Sequence, residues 1–339
     1  MSSNIVGNSL LEIKNLHTQF STPSGVIKAL NGVDLSIDKN QIVGLLGESG
    51  SGKSVFAYSI LGMPRKPGKI VKGEVLLNGR NILTLREDKL EEIRRSEISL
   101  IVSNPKPKLN PLEKIGKQIS NFYSIHSNAS RIESLSKTIE ILKAVGLNDP
   151  ERRINSYPHE LSGGMAQRVL IAMALITNPK FIIADDPTYG LDVTIQVQVL
   201  DLIRDMIRKN SSSAIIISHD LSILAQYCDK IAVMYAGKIV EESPTRNFFQ
   251  SSRHPYSLSL LGSIRSSEGE NLKLPMLGLK LDLKNLPQGC HLHERCPLAE
   301  NICKETTPDR IILNKDHYSS CHFAKEINKK MLYERFNKS

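Results

Sequence analysis

The sequence predicts an α/β fold, on three observations. The apolar runs Ile42–Leu46, Phe181–Ala184 and Ile215–Ile217 read as buried strands. The first runs into the glycine-rich stretch Gly47-Glu48-Ser49-Gly50-Ser51-Gly52-Lys53-Ser54, and Val55–Leu61 after it reads as a helix. That stretch is a phosphate-binding loop: its glycines let the backbone curl until successive N–H groups converge on a phosphate chain, and the helix adds its positive N-terminal end. Lys53 reaches the phosphates as a compact charge, and the Ser54 hydroxyl can ligate Mg²⁺. The alternative is a plain glycine-rich turn; strand before and helix after count against it.

A chain of 339 residues is too long for one minimal core, so one large nucleotide domain with smaller appended units is expected. Hydrophobic content of 40% with 23% charged residues reads as soluble and globular. No apolar run approaches the ~20 residues that span a bilayer, and Met1–Gly7 lacks the basic and apolar regions of a signal peptide. The expected place is the cytoplasm, with any membrane role that of a peripheral subunit. The net charge is +9, but the basic residues are scattered and Lys325-Glu326-Ile327-Asn328-Lys329-Lys330 mixes signs, so no nucleic-acid partner is expected. Cys228 is isolated; the other four cysteines lie between Cys290 and Cys321, a clustering that favours metal over disulfide in a cytosolic chain.

In chain order, Leu11, Ile13 and Leu16 begin an amphipathic strand that runs to Phe20, and Thr22-Pro23-Ser24-Gly25 turns it into a second from Val26 to Ile37. Phe20 either stacks on a base or packs as a core residue. Gly73–Arg80 has the shape of a strand and a tight hairpin turn, Arg86–Arg95 turns helical, and Ile98–Val102 is a short buried strand. Between Ile115 and Asn155 apolar residues recur at helical spacing, for instance Leu135, Ile139, Leu142 and Val145, which predicts an inserted helical subdomain.

Leu161-Ser162-Gly163-Gly164-Met165-Ala166-Gln167-Arg168 opens a helix, where a serine hydroxyl and glycine N–H groups make a second anion site. With the phosphate loop upstream, this run resembles the signature of ATP-binding cassette (ABC) ATPases. The resemblance implies a RecA-like P-loop NTPase core, with an antiparallel β subdomain, a helical subdomain and a small cysteine-rich extension. It also implies that Ser162, Gly163 and Gly164 meet the γ-phosphate of ATP held by an opposite subunit. Asp185 would hold Mg²⁺ through water at the carboxyl end of its strand, Tyr189–Asp192 resembles the dimer-contact loop, and His219 the γ-phosphate switch. Two positions depart from the family. Asp186 stands where a glutamate general base is usual, and Ser103 where a glutamine usually touches Mg²⁺ and water. Both side chains are shorter, which predicts a site that binds ATP and hydrolyses it poorly.

The extension begins at Arg253-His254-Pro255-Tyr256, and Pro275, Gly278, Gly289 and Asn285-Leu286-Pro287 predict a loop-rich segment that needs a staple. Cys290, Cys296, Cys303 and Cys321 supply four thiolates, and His291, His293, His317 and His322 nearby keep zinc open. The run from Leu286 through Ala299 resembles the tail of oligopeptide and dipeptide importer ATPases, in which the four cysteines bind a [4Fe–4S] cluster. The expected division is 1–260 for the ATP-binding domain, its helical subdomain at about 96–165, and 261–339 for the extension. The resemblance implies an importer subunit that works with a second, non-identical ATPase, two membrane permeases and, indirectly, an extracytoplasmic binding protein. Peptide is the cargo it favours, with nickel, glycosides and antimicrobial peptides carried by close relatives. A soluble or regulatory ABC ATPase not coupled to transport is the alternative.

Overall fold

The structure is a computed structural model that describes residues 9–262, 276 and 281–327. Pro275, Gly278, Lys329, Lys330 and the Met1–Gly7 start lie outside the described residues. The chain forms two compact units, one of residues 1–10, 37–42 and 82–217, the other of 11–36, 43–81 and 218–339. Among the described residues no helix is long and apolar enough to cross a membrane.

The chain opens with β1 (Ser9–Thr22) and β2 (Gly25–Asp38), which bury Leu11, Ile13, Leu16, Leu30, Val33, Leu35 and Ile37 by alternation. Their turn is closed by the Thr22 hydroxyl, which donates to the Gly25 carbonyl at 2.7 Å. Strand β3 (Ile42–Leu46) is buried at every position, as a strand covered on both faces must be. The hairpin of β4 (Gly68–Leu77) and β5 (Arg80–Asn81) turns at Asn78-Gly79, both with positive φ. There follow β6 (Ile98–Val102), β7 (Phe181–Asp185), β8 (Ser213–Ile217), β9 (Lys230–Tyr235), β10 (Lys238–Pro244), β11 (Ile311–Asn314) and β12 (His317–Ser319).

In the first unit β6, β7 and β8 run parallel, in a register that sets Val102 opposite Asp185 and Asp185 opposite Ile217. Their carboxyl ends are therefore level, and Ser103 and Asp186 leave the sheet from the same edge. The helical part of this unit holds Ile115–Ser127, Arg131–Ala144 and Pro150–Arg153, in the stretch where helical periodicity predicts it. The buried stripe differs from the expected one. Leu135 is 42% exposed, whereas Ser134, Thr138, Ile141, Leu142 and Val145 are buried. Thr138 can be inside because its hydroxyl donates to the Ser134 carbonyl at 2.7 Å, so the true stripe contains two small polar residues that an apolar count passes over.

In the second unit an antiparallel sheet runs β2-β1-β4-β5. Separately, β3 pairs in parallel with β9, β9 with β10, β10 with β12, and β12 with β11, the last three antiparallel. The extension is thus not only loops: its hairpin β11–β12 extends the sheet that begins at the phosphate loop. Leu258, Leu298 and Ile327 form a small core there, with Leu261 and Phe323 packed on it. Glu241, fully buried on β10, is satisfied by the backbone N–H groups of Arg253 and His254 and by His317 Nε2 at 2.8 Å.

Candidate functional site

The phosphate loop lies between β3 and the helix Lys53–Ile60. Gly52 has φ 110° and a Cβ there would stand 2.6 Å from the Ala29 carbonyl oxygen, so only glycine fits. Lys53 is 6% exposed, and its ammonium donates to the carbonyls of Gly47 at 2.6 Å and Glu48 at 2.9 Å, curling the loop around its own backbone. The Ser51 N–H donates to the Glu48 carbonyl at 3.1 Å, while Ser49, Gly50 and Ser54 are open to solvent. Phe20 is half-buried on β1, opposite Gly68, where a Cβ would press on its ring. It is therefore neither a full core residue nor freely exposed. His219 is exposed just past β8; the preceding Ser218 is buried, its N–H toward the Leu45 carbonyl of the strand that feeds the loop.

In the first unit, Asp185 ends β7 and is 9% exposed. Asp186 follows in the left-handed region at φ 46°, a conformation aspartate tolerates, with its N–H on the Ile217 carbonyl at 3.0 Å. Ser103 is half-buried at the end of β6. The sheet edge so gathers three of the predicted residues. Asp185 offers oxygen donors, the chemistry Mg²⁺ takes.

A second cluster in the same unit is built on two helix starts. Ser162 caps the helix Gly163–Leu175, its hydroxyl accepting from the Met165 N–H at 3.3 Å; Asp192 caps Val193–Lys209 by accepting from the Ile195 N–H at 3.0 Å. The two caps share a cavity of about 640 Å³ with Gly163, Gly164, Gly190 and Arg168. A Cβ on Gly164 would come 2.8 Å from the Ile195 side chain, so glycine lets the two helix starts approach. The cavity presents hydroxyl, N–H groups and helix N-terminal charge, which suits an anion.

Cys290, Cys296, Cys303 and Cys321 line one small cavity with Leu292, Leu298 and Phe323. Burial pushes the Cys321 thiol up to about 12, with the other three thiols adding to the rise, and burial raises Cys290 too. Among the described residues no group of three or more His, Cys, Asp or Glu is arranged to hold a single metal ion. A zinc site would draw thiolates to about 3.8 Å of one another. The four thiols are soft donors around one small apolar cavity. Sequence reasoning missed three residues of the loop's surroundings. Tyr256, fully buried, accepts the Glu48 N–H at 2.7 Å, Tyr235 packs on it at 4.7 Å between centroids, and Arg295 forks onto the Glu48 carboxylate. Their sequence separation of about two hundred residues left no local signal.

A family model described as "ABC transporter" matches residues 30–189, and one described as "Oligopeptide/dipeptide transporter, C-terminal region" matches 240–303. The chain is 41% identical over 330 residues to the probable peptide ABC transporter ATP-binding protein y4tR of Sinorhizobium fredii, covering 96% of this chain and 98% of that protein. It is 42% identical over 312 residues to the oligopeptide transport ATP-binding protein OppD of Bacillus subtilis, covering 91% and 87%. Among solved structures, the cassette MJ0796 in a dimeric post-hydrolysis state bound to ADP and Pi superposes with a TM-score of 0.62 at 28% identity, over 70% of this chain and 99% of that one. The chain belongs to the ABC transporter ATPases, in the branch that carries the oligopeptide/dipeptide transporter C-terminal region.

Proposed function

We propose that the chain is an ATP-binding subunit of a peptide importer, peripheral on the cytoplasmic face of the membrane, paired with a second, non-identical ATPase on two permease subunits. An extracytoplasmic binding protein would deliver the cargo. The observation that carries the reading is the cavity at Ser162, Gly163, Gly164 and Asp192, an anion site built at two helix starts in addition to the phosphate loop. A chain with two such half-sites is suited to sandwich two ATP molecules with a like chain. ATP would then favour the closed pair because only that state offers it both faces. A groove of about 700 Å³ in the helical part, lined by Lys114, Lys117, Arg131, Leu135 and Ile154, supports a docking face for a permease. The proposed domain division remains 1–260 and 261–339, with the helical subdomain at about 96–165.

Within its own site, Lys53 and the loop N–H groups would hold the β- and γ-phosphates, Phe20 would stack on the base, and His219 would contact the γ-phosphate. Ser54 and Asp185 would hold Mg²⁺, which neutralises charge as the terminal phosphate leaves. Asp186 would orient the attacking water from a carboxylate about 1.5 Å short of a glutamate's reach, and Ser103 would leave a glutamine's contacts unmade. This site would therefore bind ATP and turn it over slowly, while Ser162-Gly163-Gly164 completes the partner's active site. Rapid hydrolysis by the purified chain alone, or by a homodimer on the permeases, would refute the asymmetry.

The four cysteines would hold a [4Fe–4S] cluster as a staple for the extension. Iron and acid-labile sulfide in anaerobically purified protein, lost together on Cys303→Ser, is the expected result; stoichiometric zinc instead would overturn it.

A further inference from the structure

Glu48 is an odd residue for a loop that gathers positive groups around a triphosphate, since a free carboxylate there repels the ligand. Its charge is not free. The Arg295 guanidinium donates through both terminal nitrogens to the two carboxylate oxygens, each at 3.1 Å, and the side chains are only 10% and 28% exposed. Such a fork fixes direction as well as charge. The Glu48 backbone is held too: its N–H goes to the Tyr256 hydroxyl at 2.7 Å, and its carbonyl accepts from Ser51 N–H and Lys53. The guanidinium lies 5.8 Å from the centroid of the Tyr235 ring, which packs on Tyr256.

Arg295 belongs to the cysteine turns of the extension. It directly precedes Cys296, its N–H bonds the Leu292 carbonyl at 2.8 Å, the Cys296 N–H bonds the His293 carbonyl at 3.4 Å, and the Cys290 N–H bonds the Cys303 carbonyl at 2.8 Å. The cavity that the four thiols line and the backbone on which Arg295 is mounted therefore share one set of turns. We propose that Arg295 is a positioning residue through which the four-cysteine extension neutralises and fixes Glu48, so that the state of the extension sets the affinity of the phosphate loop for ATP. The inference rests on ATP binding at this loop; it depends neither on the asymmetry of hydrolysis nor on which group the thiols hold.

The test is equilibrium binding of Mg-ATP to the full-length chain, with thermal melting as the check on folding. Arg295→Met should weaken ATP binding on the order of tenfold, and Arg295→Lys, which keeps charge but not the fork, should fall between it and wild type. Glu48→Gln sets the reference affinity of a loop without the carboxylate. The double variant Arg295→Met with Glu48→Gln should bind like Glu48→Gln, because without the carboxylate there is no charge to cancel. Cys296→Ser should also weaken binding, and that effect should vanish in the Glu48→Gln background. Unchanged affinity in Arg295→Met overturns the proposal. So do a penalty that is the same with and without Glu48, and unfolding of Arg295→Met in both backgrounds, which would mark a merely structural residue. Wild type that binds no Mg-ATP would overturn the reading of the loop itself, a result separate from any difference among variants.

Discussion

Asp186 and Ser103 leave the same sheet edge, and each is shorter than the glutamate and the glutamine that the family resemblance leads one to expect there. If reach is what limits the site, lengthening both should restore it. Asp186→Glu with Ser103→Gln, measured in a complete complex whose partner site is disabled, should raise turnover tenfold to roughly a hundredfold. No rise would mean that reach does not limit the site. Gly47 gives a structural counterpart. A Cβ there would run into the Met234 carbonyl oxygen, so Gly47→Ala should lower the melting temperature and abolish ATP binding together. At this scale the sequence was highly readable where chemistry is local: the phosphate loop, the Ser162 cap and the Asp185-Asp186 pair all lie where their motifs predict. Glu48 was readable only in part. Its place in the loop was plain, but its partner Arg295 is separated by 247 positions, and no spacing rule links them.

Among the elements, strands buried throughout, such as β3, β7 and β8, were legible because burial on both faces leaves a continuous apolar run. The helix Arg131–Ala144 was legible as a helix but not in its facing, since its buried stripe includes Ser134 and Thr138, the latter hiding its hydroxyl on the Ser134 carbonyl. The hairpin β11–β12 was missed because Ile311, Leu313, His317 and Tyr318 form strands too short for a periodic signal, and β10 rather than composition holds them in place. One consequence of that arrangement is measurable. His254, fully buried beside Glu241 at the start of the extension, is pushed down to about 4 from its ordinary 6.5, with burial the main cause. The unfolded chain takes a proton near 6.5 that the folded chain refuses until about 4. Stability should therefore be level above that window and fall as pH drops through it. His254→Gln, which keeps an acceptor for the Tyr256 N–H, should flatten this part of the melting-temperature profile; an unchanged profile would assign the slope to other groups.

At the scale of the whole molecule, the proposed function makes the chain half of a machine. It holds a phosphate loop and, on Ser162, Gly163, Gly164 and Asp192, a cavity at two helix starts whose groups suit an anion. Homology places it among peptide transporter ATPases, and on the proposal above the shorter Asp186 and Ser103 would leave the faster chemistry to the other site. The two half-sites can be removed separately by single substitutions, which makes their unequal weight accessible to one assay. The most direct measurement is ATP turnover by the complete complex carrying either Lys53→Ala or Ser162→Ala in this chain. Loss of nearly all turnover with Ser162→Ala, and retention of much of it with Lys53→Ala, is the predicted result. Equal and severe losses would contradict the account and show that Asp186 and Ser103 serve a site the complex cannot work without.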